Sequence, residues 1–225
     1  MNEENPFENK NVAEQWIKSV EGETGLIRDT ETYPRLHDWF ENTSKGVVLD
    51  IGSGQGICSS KIDNYSHYIG VEPSYFLLER ANELYKSTQT NFLIGNAYAL
   101  PVTENSCDNA FSISAWFHLD DLSRASQELS RVLKIGGKFF IHTADSDAFD
   151  LWKKFYINPI IDGKKILGEV KVPVNNMTMS TFYLNNNSEI VEALEKEGLK
   201  VLRMTKIGNL QDNRTIFLVI EGEKR

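Results

Sequence analysis

Asp50, Gly52, Gly54 and Gly56 stand at alternate positions in VVLDIGSGQG, the stretch Val47–Gly56. An aspartate carboxylate accepts hydrogen bonds from an ammonium group. Glycines at 52, 54 and 56 let backbone approach a ligand where a Cβ would block it. Dinucleotide sites use G-x-G-x-x-G, whose third glycine tightens the helix against a pyrophosphate. In that register the third glycine would fall on Ile57, and the spacing here is D-x-G-x-G-x-G instead. The loop DIGSGQG, with Ser53 and Gln55 between its glycines, therefore suits a zwitterionic amino-acid end better than a pyrophosphate. Sixteen residues after Gly56 come Glu72 and Pro73, and a carboxylate at a strand end can accept both hydroxyls of a ribose. Further on, the Asn96 side-chain oxygen in Gly95-Asn96-Ala97 can accept from an adenine amino group, while a backbone N–H bonds a ring nitrogen. Each feature also has a plain structural use: a tight strand–helix turn, a solvated acid, a turn-forming Asn. Taken in order, the three describe an amino acid, a ribose and an adenine.

Such groups need a scaffold that brings three loops together. Val47–Ile51 reads as a buried strand, followed by a short helix over Ile57–Asp63, whose N-terminus would favour a negative group. Strands are expected at His67–Val71, Asn91–Ile94, Ala110–Ile113 and Lys138–His142. Between them, helical spacing runs over Ser74–Ser87 and over Leu122–Leu133, the latter capped by Asp120 or Asp121 and stopped by Gly136-Gly137. Upstream, Val12–Val20 and a segment opened by Pro34, with Leu36, Trp39 and Phe40, read as helices. Downstream, Ser188 caps a helix over Glu189–Glu197. Leu199–Met204 and Thr215–Ile220 follow, joined by a turn too short for a parallel crossover. The expected fold is α/β, a Rossmann-like three-layer sandwich. It has five parallel strands flanked by helices, then an antiparallel hairpin. One domain over 1–225 is expected, divided into a helical cap (1–44), a ligand-binding core (45–145), a lid (146–182) and a C-terminal helix and hairpin (183–225).

Composition narrows the function. The chain has 225 residues, 40% hydrophobic and 25% charged, with a net charge of −8. A chain of this size buries roughly 70% of its unfolded surface and needs no disulfide or metal to fold. No basic stripe matches a phosphate backbone, which argues against nucleic acid. Cys58 and Cys107 form no C-x-x-C pair and no His cluster suggests a metal. The polar N-terminus has no apolar signal region, and no apolar run approaches the roughly 18 residues of a membrane span. A cytoplasmic setting without membrane contact is expected; the oligomeric state is left open.

The stretches VVLDIGSGQG, IGVEPS, GNAYALP, DNAFSISAWFHLDD and ELSRVLKIGGKFFIH fall in the order and spacing of class I S-adenosylmethionine-dependent methyltransferases. The resemblance is strongest over residues 45–143. It implies a seven-stranded sheet with an antiparallel last strand, S-adenosylmethionine as methyl donor and S-adenosylhomocysteine as product. By the same resemblance, Asp50, Gly52 and the glycine loop hold the methionine end and Glu72 binds the ribose. Asn96 and Ala97 border the adenine, and Ile113–Ser114 line the cofactor near its sulfonium. Ser53 replaces a common cysteine, and Asn96 replaces a common aspartate, keeping the acceptor oxygen but not the charge. The N-terminal part, with Trp16, Arg28 and Tyr33, resembles the cap of small-molecule methyltransferases.

Methyl transfer from a sulfonium mainly needs alignment and exclusion of water. A general base is needed only where the nucleophile must lose a proton. His118 in WFHLDD is the candidate base, with a structural helix-entry role as the alternative. His67 and His142 read as packing or edge residues. Trp152, Tyr156, Phe182 and Tyr183 offer an apolar acceptor pocket, or simply pack the lid. Tyr33 can close over the cofactor or serve the core, and Arg28 can bind a substrate carboxylate or pair with an acid. A small organic acceptor is expected. A protein or RNA acceptor, or a non-catalytic nucleotide-binding protein, are the alternatives.

Overall fold

The computed structural model describes residues 6–20, 28–171, 178–209 and 214–225. Residues 1–5 and 21–27 of the expected cap, 172–177 of the lid and 210–213 of the hairpin turn lie outside the described residues. The main sheet is built from β1 (Val47–Ile51), β2 (His67–Glu72), β3 (Thr90–Ile94), β4 (Cys107–Ile113), β5 (Leu133–Ala144), β9 (Leu199–Asn209) and β10 (Arg214–Lys224). Its spatial order is β3-β2-β1-β4-β5-β10-β9. The first five strands are mutually parallel, and β10 runs antiparallel to both β5 and β9. This is the expected seven-stranded arrangement. The chain leaves β1 toward β2 and β3, then returns to β4 on the other side of β1. The switch point, where open α/β sheets hold ligands, therefore lies between β1 and β4.

Alternating side chains feed two faces. On one face, Val48, Phe111, Phe140 and Val219 pack with Leu36, Trp39 and Phe40 of α2 (Tyr33–Glu41) and Ala81 of α3 (Tyr75–Tyr85). On the other, Leu49, Ala110, Phe139, Ile141 and Ile220 pack with Leu129 and Val132 of α4 (Leu122–Val132) and Ile190 and Leu194 of α6 (Asn187–Lys196). A strand buried on both faces has to be apolar at nearly every position, which is why VVLDI and KFFIH read as continuous runs.

Several expected elements differ. The helix after the glycine loop is a single 3-10 turn, Ile57–Ser60. The Ser59 and Ser60 hydroxyls donate to the Gly56 and Ile57 carbonyls at 2.7 and 2.8 Å, competing with helix propagation. That shortens the helix dipole invoked for anion binding. Helix α4 ends at Val132, before the two glycines, because Leu133 turns extended and pairs with Cys107. Gly136 and Gly137 sit instead at an irregularity early in a longer β5. Asn186, not Ser188, caps α6, its side chain accepting from the Ser188 N–H. Asp121 caps α4.

Residues 146–184 hold α5 (Phe149–Trp152) and a separate antiparallel sheet of β6 (Tyr156–Asp162), β7 (Lys165–Lys171) and β8 (Thr178–Leu184), ordered β6-β7-β8. Register shifts between Ile157 and Ile160 and between Gly168 and Val170 reset its in–out alternation. A strand pattern broken this way has no sustained period to read. Phe7, Ala13 of α1 (Lys10–Val20), Phe117, Trp152, Tyr156 and Phe182 bind cap, lid and sheet edge into a third apolar cluster. Among the described residues no helix is long and apolar enough to cross a membrane.

Candidate active site

A cleft of about 760 Å³ opens at the carboxyl ends of β1, β2 and β4. Its lining includes Asp50, Gly52, Ser53, Gly54, Gln55, Glu72, Pro73, Asn96, Ala97, Ile113, Ser114 and His118, together with Trp16, Arg28, Tyr33 and Tyr183. The loops predicted from three distant stretches thus converge on one cavity, within the roughly 300–1,000 Å³ usual for ligand sites.

The glycine loop is fastened to β2: the Gly52 and Ser53 amides both donate to the Val71 carbonyl, at 2.8 and 3.1 Å. Gly52 has φ +77°, and a Cβ there would stand 2.4 Å from the Ala115 Cβ. At Gly54, φ +54°, a Cβ would meet nothing within 4 Å, so the backbone at this point faces open cleft. Gly56 is not part of the lining. A Cβ there would strike the Phe92 ring at 2.8 Å, so the close packing of this glycine on Phe92 accounts for its lack of a side chain.

Two buried carboxyls sit at the base of the loop. Asp50 is 1% exposed and accepts from the Tyr68 hydroxyl at 2.5 Å. Burial raises its pKa to about 7, the Tyr68 bond opposing and nearby Glu72 reinforcing the rise. Glu72 Oε2 accepts from the Gly54 amide and Oε1 from the Ser74 amide, each at 2.9 Å. Burial lifts Glu72 to about 7 as well, against the pull of those two amides. A buried acid pushed toward neutrality has an electrostatic deficit that an incoming cation or set of donors would fill. Each oxygen of Glu72 keeps acceptor capacity beyond its one amide bond.

At the third loop, Asn96 is exposed and its Oδ1 accepts from the Tyr98 amide at 2.9 Å. That turn engages the oxygen expected to read an adenine amino group, leaving a single lone pair for it. The Tyr98 hydroxyl donates to Asp120 at 2.6 Å and accepts from the Asp120 amide at 2.8 Å. Tyr98, Asp120 and Arg124 also line the cleft and were missed. Their signal lies in GNAYALP and HLDD, but it needs the pairing of loops 22 residues apart.

The opposite end is aromatic. His118 is half-buried on a 3-10 turn, Trp116–His118. Its ring stands edge-on to Phe7 at 5.9 Å and to Phe182 at 5.8 Å. Phe7, the lone aromatic among the first ten residues, lines the cleft and was overlooked inside a polar stretch. The Ser74 hydroxyl donates to its carbonyl at 2.5 Å, pinning the cap to α3. The Arg28 guanidinium stands 5.7 Å from the Trp16 ring centroid and adds to the burial that lowers the pKa of His142.

Three expected pocket residues lie elsewhere. Trp152, Tyr156 and Phe182 are buried and absent from the lining. Phe182 stacks on Phe117 at 4.3 Å and touches Trp152 at 5.2 Å, and the Trp152 indole donates to the Ile216 carbonyl. An aromatic cluster this size is satisfied within the lid core; among the described lid residues, only Tyr183, on the alternate face of β8, reaches the cavity. Away from the cleft, exposed His37, Glu41 and Asp63 bring ligand-type atoms within 4.8 Å, with Glu41 held by Lys45 at 2.7 Å.

Residues 49–141 match the model of a methyltransferase domain. The chain is 27% identical over 169 residues to the O-methyltransferase resE of Aspergillus sclerotiorum, covering 68% of this chain and 64% of that enzyme. It is 28% identical over 166 residues to the tRNA (carboxymethyluridine(34)-5-O)-methyltransferase ALKBH8 of Mus musculus, covering 69% of this chain and 23% of that one. The chain spans about half to two thirds of the length of the first curated relatives it matches. Among solved structures, a complex between the Haloferax volcanii Trm112 methyltransferase activator and a methyltransferase superposes with a TM-score of 0.68 at 16% identity, covering 99% of both chains. The strand order, the convergent loops and the matched domain agree: residues 49–141 resemble a methyltransferase domain, and the chain has the fold of the class I S-adenosylmethionine-dependent methyltransferases.

Proposed function

We propose that this chain holds S-adenosylmethionine in the cleft and directs its methyl group to a small organic acceptor. The cofactor supplies a methyl carbon already activated on a sulfonium. The residues present suit it: Gly54 offers open backbone, and Asp50 is a buried carboxyl in need of a cationic partner. In this reading Asp50, Gly52, Ser53, Gly54 and Gln55 hold the methionine end. Glu72 and Pro73 border the ribose, Asn96 and Ala97 the adenine, and Ile113 and Ser114 the segment next to the sulfonium. Arg28 and Tyr33 line the same cleft as the glycine loop. A cationic group there suits the cofactor's carboxylate better than an acceptor's.

The observation that carries a small acceptor is the walled aromatic end. Phe7, Trp16, His118 and Tyr183 line it, with Phe182 packed behind His118. Such a wall orients an organic ring and excludes water. His118 is the proposed proton acceptor where the nucleophile carries a proton. A cytoplasmic setting is proposed on two buried free thiols, Cys58 and Cys107. Incubating the protein with methyl-labelled S-adenosylmethionine and a metabolite extract would name the acceptor; label entering only protein or RNA would defeat the reading.

Likeness to a tRNA methyltransferase favours a second reading, an RNA acceptor. The net charge of −8 weighs against it, because RNA affinity rests on neutralised phosphates. A salt-dependent gel shift with tRNA would reverse the ranking.

A further inference from the structure

Ser114 follows β4 with φ +59°, a left-handed conformation that serine seldom adopts. Two contacts with His142 hold it there. The Ser114 amide donates to the His142 carbonyl at 3.1 Å, and Ser114 Oγ lies 3.1 Å from His142 Nδ1. Ser114 lines the cleft. His142 is 1% exposed, lies on β5 beside Ile113, and packs against the Phe217 ring at 4.7 Å. Among the described residues its Nε2 is buried without a hydrogen-bond partner.

Burial, with Arg28 adding, pushes the His142 pKa down to about 3, so the ring is neutral and carries one N–H. A proton on Nε2 would leave a buried N–H with no acceptor, which folded proteins avoid more strictly than an unfilled lone pair. A proton on Nδ1 finds Ser114 Oγ and leaves only a lone pair at Nε2. In that arrangement the serine oxygen has already accepted, so its own hydrogen is free to donate into the cleft. Ala115, the next residue, abuts Gly52 of the glycine loop, and Arg28 lines the same cavity. A hydroxyl donor and a guanidinium lining one cleft match a carboxylate.

We propose that His142 is a positioning residue: donating from Nδ1 to Ser114 Oγ, it sets the serine hydroxyl as a donor to the carboxylate at the methionine end of the bound cofactor. This rests on the placement of that end over the glycine loop.

Two measurements test it. Long-range 1H–15N correlation spectra of protein labelled at histidine nitrogens should show His142 protonated at Nδ1 before any ligand is added. A proton on Nε2 overturns the proposal whatever the cleft binds. Calorimetry then compares S-adenosylhomocysteine with 5′-methylthioadenosine, which keeps the adenine and ribose and lacks the carboxylate. Ser114→Ala and His142→Leu should weaken S-adenosylhomocysteine about tenfold and leave methylthioadenosine within about twofold. His142→Asn, whose amide nitrogen can stand in for Nδ1, should restore most of the loss. Equal weakening of both ligands, or no weakening of S-adenosylhomocysteine, overturns the assignment. Should His142→Leu not fold, Ser114→Ala carries the comparison. Failure of the wild-type protein to bind either ligand would instead defeat the cofactor reading of the cleft, and this proposal with it.

Discussion

The Tyr68 hydroxyl donates to the Asp50 carboxylate at 2.5 Å inside the sheet, with Tyr68 fully buried and Asp50 1% exposed. Neighbouring strands place them so: Asp50 on β1 is in register with Gly70 on β2, two residues beyond Tyr68. The bond relieves only part of the burial of Asp50, and the same holds for Glu72 with its two amides.

The first prediction is a pH dependence of the unliganded protein. Both carboxyls have folded pKa values raised to about 7, above the unfolded values near 4. Between those limits the native state binds more protons than the unfolded chain, so stability falls as pH rises. It should be full below about pH 4, decline through about pH 7 and then level off, a span on the order of a few kcal/mol. Thermal unfolding across this range should show Asp50→Asn and Glu72→Gln flattening the decline. Curves parallel to wild type would contradict the assignment.

Cofactor affinity gives the second. Asp50→Ala and Glu72→Ala should each weaken S-adenosylhomocysteine by about 1–3 kcal/mol, the scale of a lost charge-assisted bond. Glu72→Ala also strands the Gly54 and Ser74 amides, so its melting temperature should drop as well. Unchanged calorimetric affinity in both variants would refute the site.

Gly52→Ala is the third. Its Cβ would stand 2.4 Å from Ala115 at a φ of +77°, so the loop must shift. Binding of S-adenosylhomocysteine should fall at least tenfold, an expectation on the order of 1.4 kcal/mol. Gly136→Ala has a similar φ of +75° and nothing near its Cβ, so it controls for backbone strain alone. Equal effects on ligand binding would dismiss the clash.

For His118→Ala, cofactor binding should stay nearly intact while turnover on an identified acceptor drops by roughly 10²–10⁴, the usual contribution of a positioned base. Full turnover would remove His118 from the mechanism.

The lid supplies the fifth. Phe182→Ala should cost about 3–5 kcal/mol of stability, since its ring is 3% exposed among Phe117, Trp152 and Tyr156. S-adenosylhomocysteine affinity in the variant that remains folded should change little. A large affinity loss without destabilisation would place Phe182 in the pocket after all.

Sequence alone determined the alternation of strands and helices, the antiparallel tail, and the loops carrying Asp50, Glu72 and Asn96. Those signals are local: apolar runs of strand length, glycines at fixed spacing, acids at strand ends. Tertiary structure decided everything that depends on which face a side chain meets. It turned Gly56 into a packing contact for Phe92 and drew Trp152, Tyr156 and Phe182 into a lid core. It brought Phe7 from a polar stretch to the cleft. It also paired Ser114 with His142 across 28 residues. The lid was the least legible part because register shifts in its strands erase the period-two pattern. The physical reason is the same throughout: spacing encodes which atoms can lie along one element, whereas burial and partnership arise only when distant elements close over one another.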